Sequence, residues 1–107
     1  MRIRIPRARI RERFWIIYEL EGCQKAVNFL AEYYSVRKMK IVLNGKKVGK
    51  HYYAIYSRNK AYFTKRGLRK RTVLHELYHH LVKEKGLVLS DSIEERQAIG
   101  YAREFLG

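Results

Sequence analysis

The chain is short of acid, cysteine and proline and has no long apolar run, and each shortage closes off a class of protein. Cys23 is the only cysteine. No internal disulfide can form, which fits a reducing compartment, and neither a paired-cysteine metal knuckle nor a Cys–His nucleophile pair is supported. No apolar stretch approaches the roughly 18–20 residues that span a bilayer, so no membrane partner is expected. The first residues, Met1-Arg2-Ile3-Arg4-Ile5-Pro6-Arg7, lack the apolar core of a secretory signal. The expectation is a cytoplasmic protein. Internal repeats, Gly/Ser linkers and low-complexity tracts are also missing, so residues 1–107 read as a single domain near the lower size limit for one core. Asp and Glu number 10 against 24 Lys and Arg, a formal net charge of +14. Such a field attracts nucleic acid, anionic surfaces or acidic protein, although a solvated basic surface needs no partner.

What is present suffices for a core: 47% of the residues are hydrophobic, with nine Tyr and four Phe as large packing units. Residues 2–5 alternate Arg and Ile, a strand-like lead-in, and Pro6 suits the first turn of a helix. Ile10, Phe14, Ile17 and Tyr18, then Val27, Phe29, Leu30, Tyr33 and Tyr34, follow helical spacing with a break near Gly22. Arg7, Arg9, Arg11 and Arg13 make this helical region strongly basic. Residues 39–43 read as a strand closed by an Asn44-Gly45 hairpin turn. A second strand spans Gly49 to Tyr56, with His51, Tyr53 and Ile55 on one face and Tyr52, Ala54 and Tyr56 on the other. Lys60 to Thr64 is a third strand, and Lys65 to Arg71 a basic connector. A helix beginning near Leu68 or Thr72 runs to Lys85 on a stripe of Val73, Leu74, Leu77, Leu81 and Val82, with Gly86 as its stop. Ser90 or Asp91 caps a last helix reaching Leu106. The expected fold is α+β: one or two N-terminal helices, a small three-stranded sheet, and two further helices.

The penultimate helix carries His75-Glu76-Leu77-Tyr78-His79, an HExxH pentad. Positions i and i+4 share one helix face, so both imidazoles can converge on one Zn²⁺. Glu76 sits ~100° further round, near the metal but poorly aimed to ligate it. From there it can act as general base toward a metal-activated water. A catalytic zinc needs a third protein ligand. Asp91, Glu94, Glu95 and Glu104 lie downstream, and His51 and His80 are the remaining histidines. His80 is ~100° off His79, so it points to solvent or to a neighbouring carbonyl rather than to the metal. His51, on a strand, could line the cleft.

The pentad followed by Glu95-Arg96-Gln97-Ala98 resembles the gluzincin arrangement, HExxH plus a glutamate helix carrying an ExxA segment. Size and element order resemble the minigluzincins, one-domain archaeal zinc peptidases, and the catalytic domains of repressor-cleaving and radiation-response proteases. The resemblance implies one zinc per chain held by His75, His79 and Glu95, with Glu94 as the runner-up and Glu76 as the catalytic base. It also implies a latent, zymogenic form closed by a C-terminal segment, although a helix reaching Leu106 leaves almost no tail for that route. Many gluzincins place Asp or Asn four residues after the ligand glutamate to orient the first histidine. Ile99 stands there instead, leaving a backbone carbonyl or another group such as Asp91 for that task.

The function expected is a zinc-dependent endopeptidase acting on peptide or protein substrates. Tyr101, Tyr78, Tyr53 and His51 are candidates to stabilise the oxyanion. The substrate would lie along a sheet edge, with Lys60–Thr64 as the expected edge. Nucleic acid, attracted by the charge, is expected to bind only weakly and without sequence preference. The alternative is a basic, nucleic-acid-associated binding or regulatory protein whose zinc site has little or no activity. Glu76, which a purely structural site would not need, stands against it.

Overall fold

The helical spacing of the first third resolves into two helices, α1 (Ala8–Glu21) and α2 (Cys23–Tyr33). Gly22 between them has φ 97°, in the left-handed region that favours glycine, and its N–H closes α1 onto the Tyr18 carbonyl. A computed structural model describes residues 2–49 and 52–107, and Met1, Lys50 and His51 lie outside the described residues. Residues 2–5 form no strand. Ile3 instead donates its N–H to the Tyr78 hydroxyl at 3.0 Å, and Ile3 and Ile5 pack on the core. Pro6 is buried ahead of the helix rather than in its first turn, with Arg7 at the N-cap. α1 buries Phe14, which meets Trp15 and Phe105 edge-on at 4.6 and 5.2 Å between ring centroids.

The sheet consists of β1 (Lys40–Leu43), β2 (Ala54–Ser57) and β3 (Lys60–Phe63), with a one-turn helix α3 (Gly45–Val48) after β1. Its order is β1-β3-β2, with β3 parallel to β1 and antiparallel to β2. Two expectations are corrected by that order. Asn44-Gly45 is not a hairpin turn: the Asn44 side chain accepts the Lys47 N–H at 3.2 Å and starts α3. A hairpin there would require β1 to pair with β2, and β1 pairs with β3. The tight turn is Arg58-Asn59, whose φ values of 50° and 65° match the two-residue type that joins twisted antiparallel strands. Lys60–Thr64 is likewise no sheet edge, because β3 is hydrogen-bonded on both sides and β1 and β2 are the edges. The second strand is also shorter than the expected span from Gly49, whose φ of 91° ends α3.

α4 (Lys70–Glu84) and α5 (Asp91–Leu106) complete the α+β fold. The predicted stripe of α4 is buried throughout, at Val73, Leu74, Leu77, Leu81 and Val82. Gly86, at φ 68°, follows its end, and the Ser90 hydroxyl accepts the Ile93 N–H at 3.3 Å to begin α5. α4 packs on α5 and on β2, which places its exposed face beside the β2 edge. The Lys70 ammonium fixes the start of α4 to α1, 2.9 Å from Glu19 and 4.9 Å from the Trp15 ring centroid. The connector before α4 is tied down by backbone approach: a Cβ at Gly67 would stand 2.1 Å from the Tyr53 carbonyl oxygen. Among the described residues no helix is long and apolar enough to cross a membrane.

Candidate metal centre

α4 presents His75 and His79 one turn apart, their ring centroids 5.0 Å from each other. α5, packed alongside, brings up Glu95. One of its carboxylate oxygens lies 2.8 Å from His75 Nε2 and the other 3.0 Å from His79 Nε2. The potential ligand atoms of these three residues all lie within 4.8 Å of one another. Atoms roughly 2.0–2.1 Å from a tetrahedral ion are about 3.3 Å apart, so small side-chain rotations bring this set to coordination distance. Two imidazoles and a carboxylate are donors suited to zinc. His75 is held below the usual histidine pKa, by burial first, against the opposing pull of Glu95. That favours the neutral ring that ligation needs.

Glu94, the runner-up as third ligand, also reaches the site, beside His79. Its carboxylate lies 2.6 Å from His79 Nδ1 while Glu95 meets Nε2 of the same ring. The two carboxylates, adjacent in sequence, therefore reach opposite edges of one imidazole. Such a contact fixes the ring and leaves Nε2 as the atom that faces a metal. Ile99 is 42% exposed and takes no part.

Glu76 lines the same cleft and is only 7% exposed. Burial pushes its carboxyl up to about 7, with Glu95 reinforcing the shift and His79 opposing it. The cleft, of about 420 Å³, is completed by Tyr52, Ala54, Ile55 and Tyr56. It continues past His79 and Glu94 into a second hollow bounded by Arg58, Lys83 and Leu87.

The other sequence candidates are placed elsewhere. His80 is fully buried, its Nε2 2.6 Å from the Arg37 carbonyl and its Nδ1 2.7 Å from the Tyr56 hydroxyl. A carbonyl only accepts, so Nε2 carries the proton and Nδ1 accepts from Tyr56. Of its two expected positions, the neighbouring carbonyl is the one found. Tyr101 is buried with its hydroxyl on that of Tyr34 at 2.9 Å, and Tyr34 donates onward to the Arg4 carbonyl. Tyr78 donates to Gln97 at 2.7 Å. Tyr53 carries the Arg69 guanidinium over its ring and does not line the cleft, whereas Tyr52, passed over in the sequence, does. His51 lies outside the described residues. Comparison with known proteins finds no matching family model, no matching curated protein and no matching solved structure.

Proposed function

We propose that this chain is a zinc-dependent endopeptidase, and the observation that carries the reading is the convergence of His75, His79 and Glu95 beside the buried carboxylate of Glu76. The resemblance to minigluzincins supports the same reading. A zinc ion at the triad supplies a Lewis acid that acidifies water and polarises a carbonyl. The protein's own contribution starts with Glu76. A carboxyl raised toward neutrality can take a proton from the attacking water and return it to the leaving amine. Glu94 holds His79 in the tautomer the site requires. The substrate chain lies extended along the open edge of β2, which borders the cleft through Ala54, Ile55 and Tyr56. Tyr52, 65% exposed, lines the cleft where Tyr101, Tyr78 and Tyr53 do not, and is our candidate hydroxyl for a developing oxyanion.

The test combines metal analysis with cleavage of a peptide library by the wild type and by Glu76→Gln. The expected result is about one zinc per chain in both proteins and a loss of about 10²–10⁴-fold in turnover for the variant. Unchanged turnover would remove Glu76 from the mechanism, and absence of cleavage by zinc-loaded wild type would remove the peptidase.

A further inference from the structure

The positive charge of this protein is not spread evenly. From residue 33 to residue 75 the sequence holds thirteen Lys and Arg and no Asp or Glu. That stretch forms the sheet. Ala61 and Phe63 of β3 are buried toward the core, so Lys60 and Tyr62 lie on the other, solvent face. Cross-strand pairing puts Lys40 directly beside Lys60 on that face, with Ser57 on the far side. Like charges opposed across a ladder are destabilising unless something answers them. Within the protein nothing does: Lys40, Lys47, Arg58 and Lys60 meet no carboxylate among the described residues, whereas Arg37 and Lys70 each have one. Lys47, Ser57, Arg58, Lys60 and Tyr62 surround a concavity of about 510 Å³, and the Lys47 ammonium stands 5.7 Å from the Tyr62 ring centroid.

We propose that this solvent face of the sheet is a docking surface for single-stranded nucleic acid. Three uncompensated cations around one concavity, with Lys40 beside Lys60, can answer a run of phosphates, and the Tyr62 ring gives an unstacked base a platform. A base arriving there displaces only a flexible lysine, whose ammonium is then beside the adjoining phosphate. A duplex would keep its bases turned away from the ring. An anionic bilayer is the poorer match, because the cations ring a concavity and the apolar residues of this face, Val42 and Ile55, are half-buried. None of the metal-site residues His75, His79 and Glu95 lines this concavity, although Ser57 and Arg58 also border the hollow that continues from the metal cleft.

The experiment measures fluorescence anisotropy of a labelled oligothymidine strand over a salt series, with the zinc-loaded full chain. The triple variant Lys47→Ser/Arg58→Asn/Lys60→Ser should weaken binding and reduce the salt slope by about 2, since each phosphate contact on a single strand contributes about 0.7. Tyr62→Leu should weaken binding about tenfold while Tyr62→Phe keeps it, and thermal melting of both checks that the sheet is intact. The control removes an equal or larger charge elsewhere, by Arg7, Arg9, Arg11 and Arg13→Gln together, and should have the smaller effect. A helix variant that weakens binding as much as the sheet variant would show an unplaced response to net charge and overturn the proposal. So would binding confined to vesicles of phosphatidylcholine and phosphatidylserine, or to polyglutamate, with none to the oligonucleotide. His75→Ala should bind the strand like wild type, which separates failure of this proposal from failure of the peptidase.

Discussion

His79 and His80 are neighbours on α4, yet they belong to two polar clusters with opposite logic. The cluster around His79 opens on a cleft and is oversupplied with negative charge: two imidazoles share the carboxylates of Glu94 and Glu95, with Glu76 close by. The cluster around His80 is closed and balanced. One N–H meets one carbonyl, one lone pair meets one hydroxyl, and no net charge is required. Excess acceptors on the surface mark a site that binds something, and matched donors in the core mark a site that holds the fold together. α4 serves both because ~100° of rotation separates consecutive residues.

The largest effect expected from this contrast is on stability. His80→Ala leaves the Arg37 carbonyl without its partner and the Tyr56 hydroxyl with Asn59 alone, beside a new cavity, a loss of about 3 kcal/mol. His79→Ala, measured in urea with a chelator present, should cost less than about 1 kcal/mol, because water can replace the lost contacts. Equal losses from the two substitutions would erase the distinction.

Zinc affinity should reverse the order. Glu95→Ala removes a proposed ligand and should abolish stoichiometric binding. Glu94→Ala removes only the partner of Nδ1 and should weaken zinc by about 10–100-fold, read by competition with a chromogenic chelator. A variant lacking Glu94 that loses zinc while one lacking Glu95 keeps it would exchange their roles. His80 belongs to the core in either case, and Tyr56→Phe probes it more gently. That change strips one hydroxyl and leaves the ring, which stacks edge-on with His80 at 5.5 Å between centroids. The expected cost is about 1 kcal/mol with zinc affinity unchanged.

Much of this arrangement is legible in the residues because helices are local. The 3.6-residue period pairs His75 with His79, and Gly22, Gly86 and Ser90 mark helix ends by their own chemistry. What escapes is non-local. Nothing near Lys40 says that its partner is Lys60 rather than β2, so the order of strands, and with it the open edge, emerges only in three dimensions. Asn44-Gly45 misleads because the side chain that favours a tight turn also caps a helix, and pairing elsewhere decides between them. The role of Glu94 escapes for another reason. Helical direction separates it from Glu95, but an imidazole has two nitrogens on opposite edges, so both carboxylates reach the same ring. The charge asymmetry, by contrast, was available from the start as a stretch without acid between Glu32 and Glu76.

The smallest expected effect lies at the outer end of the His80 cluster. Glu84 accepts the Arg37 backbone N–H at 3.0 Å and, side-on, the guanidinium Nε–H and Nη2–H at 3.0 and 2.9 Å, so it steadies the residue whose carbonyl receives the His80 proton. The Arg37 side-chain bonds hold the Glu84 carboxyl below its usual value of 4.5. A carboxyl lowered in the folded state binds its proton more readily once the chain unfolds. Its contribution is therefore fully present above about pH 4.5 and is lost as pH falls through the lower folded value. Glu84→Gln should then be less stable than wild type at neutral pH, by a margin that shrinks to nothing under acid conditions. The Arg37 side chain is 75% exposed and the Glu84 side chain 7%, so salt reaches the pair from the guanidinium side and should shrink the same margin in part. Urea titrations of both proteins from pH 7 down through the carboxylate range, at low and high salt, measure it. A margin that grows on acidification would mean that Glu84 acts through something other than its charge, and the tie from this pair to the buried histidine would then be packing alone.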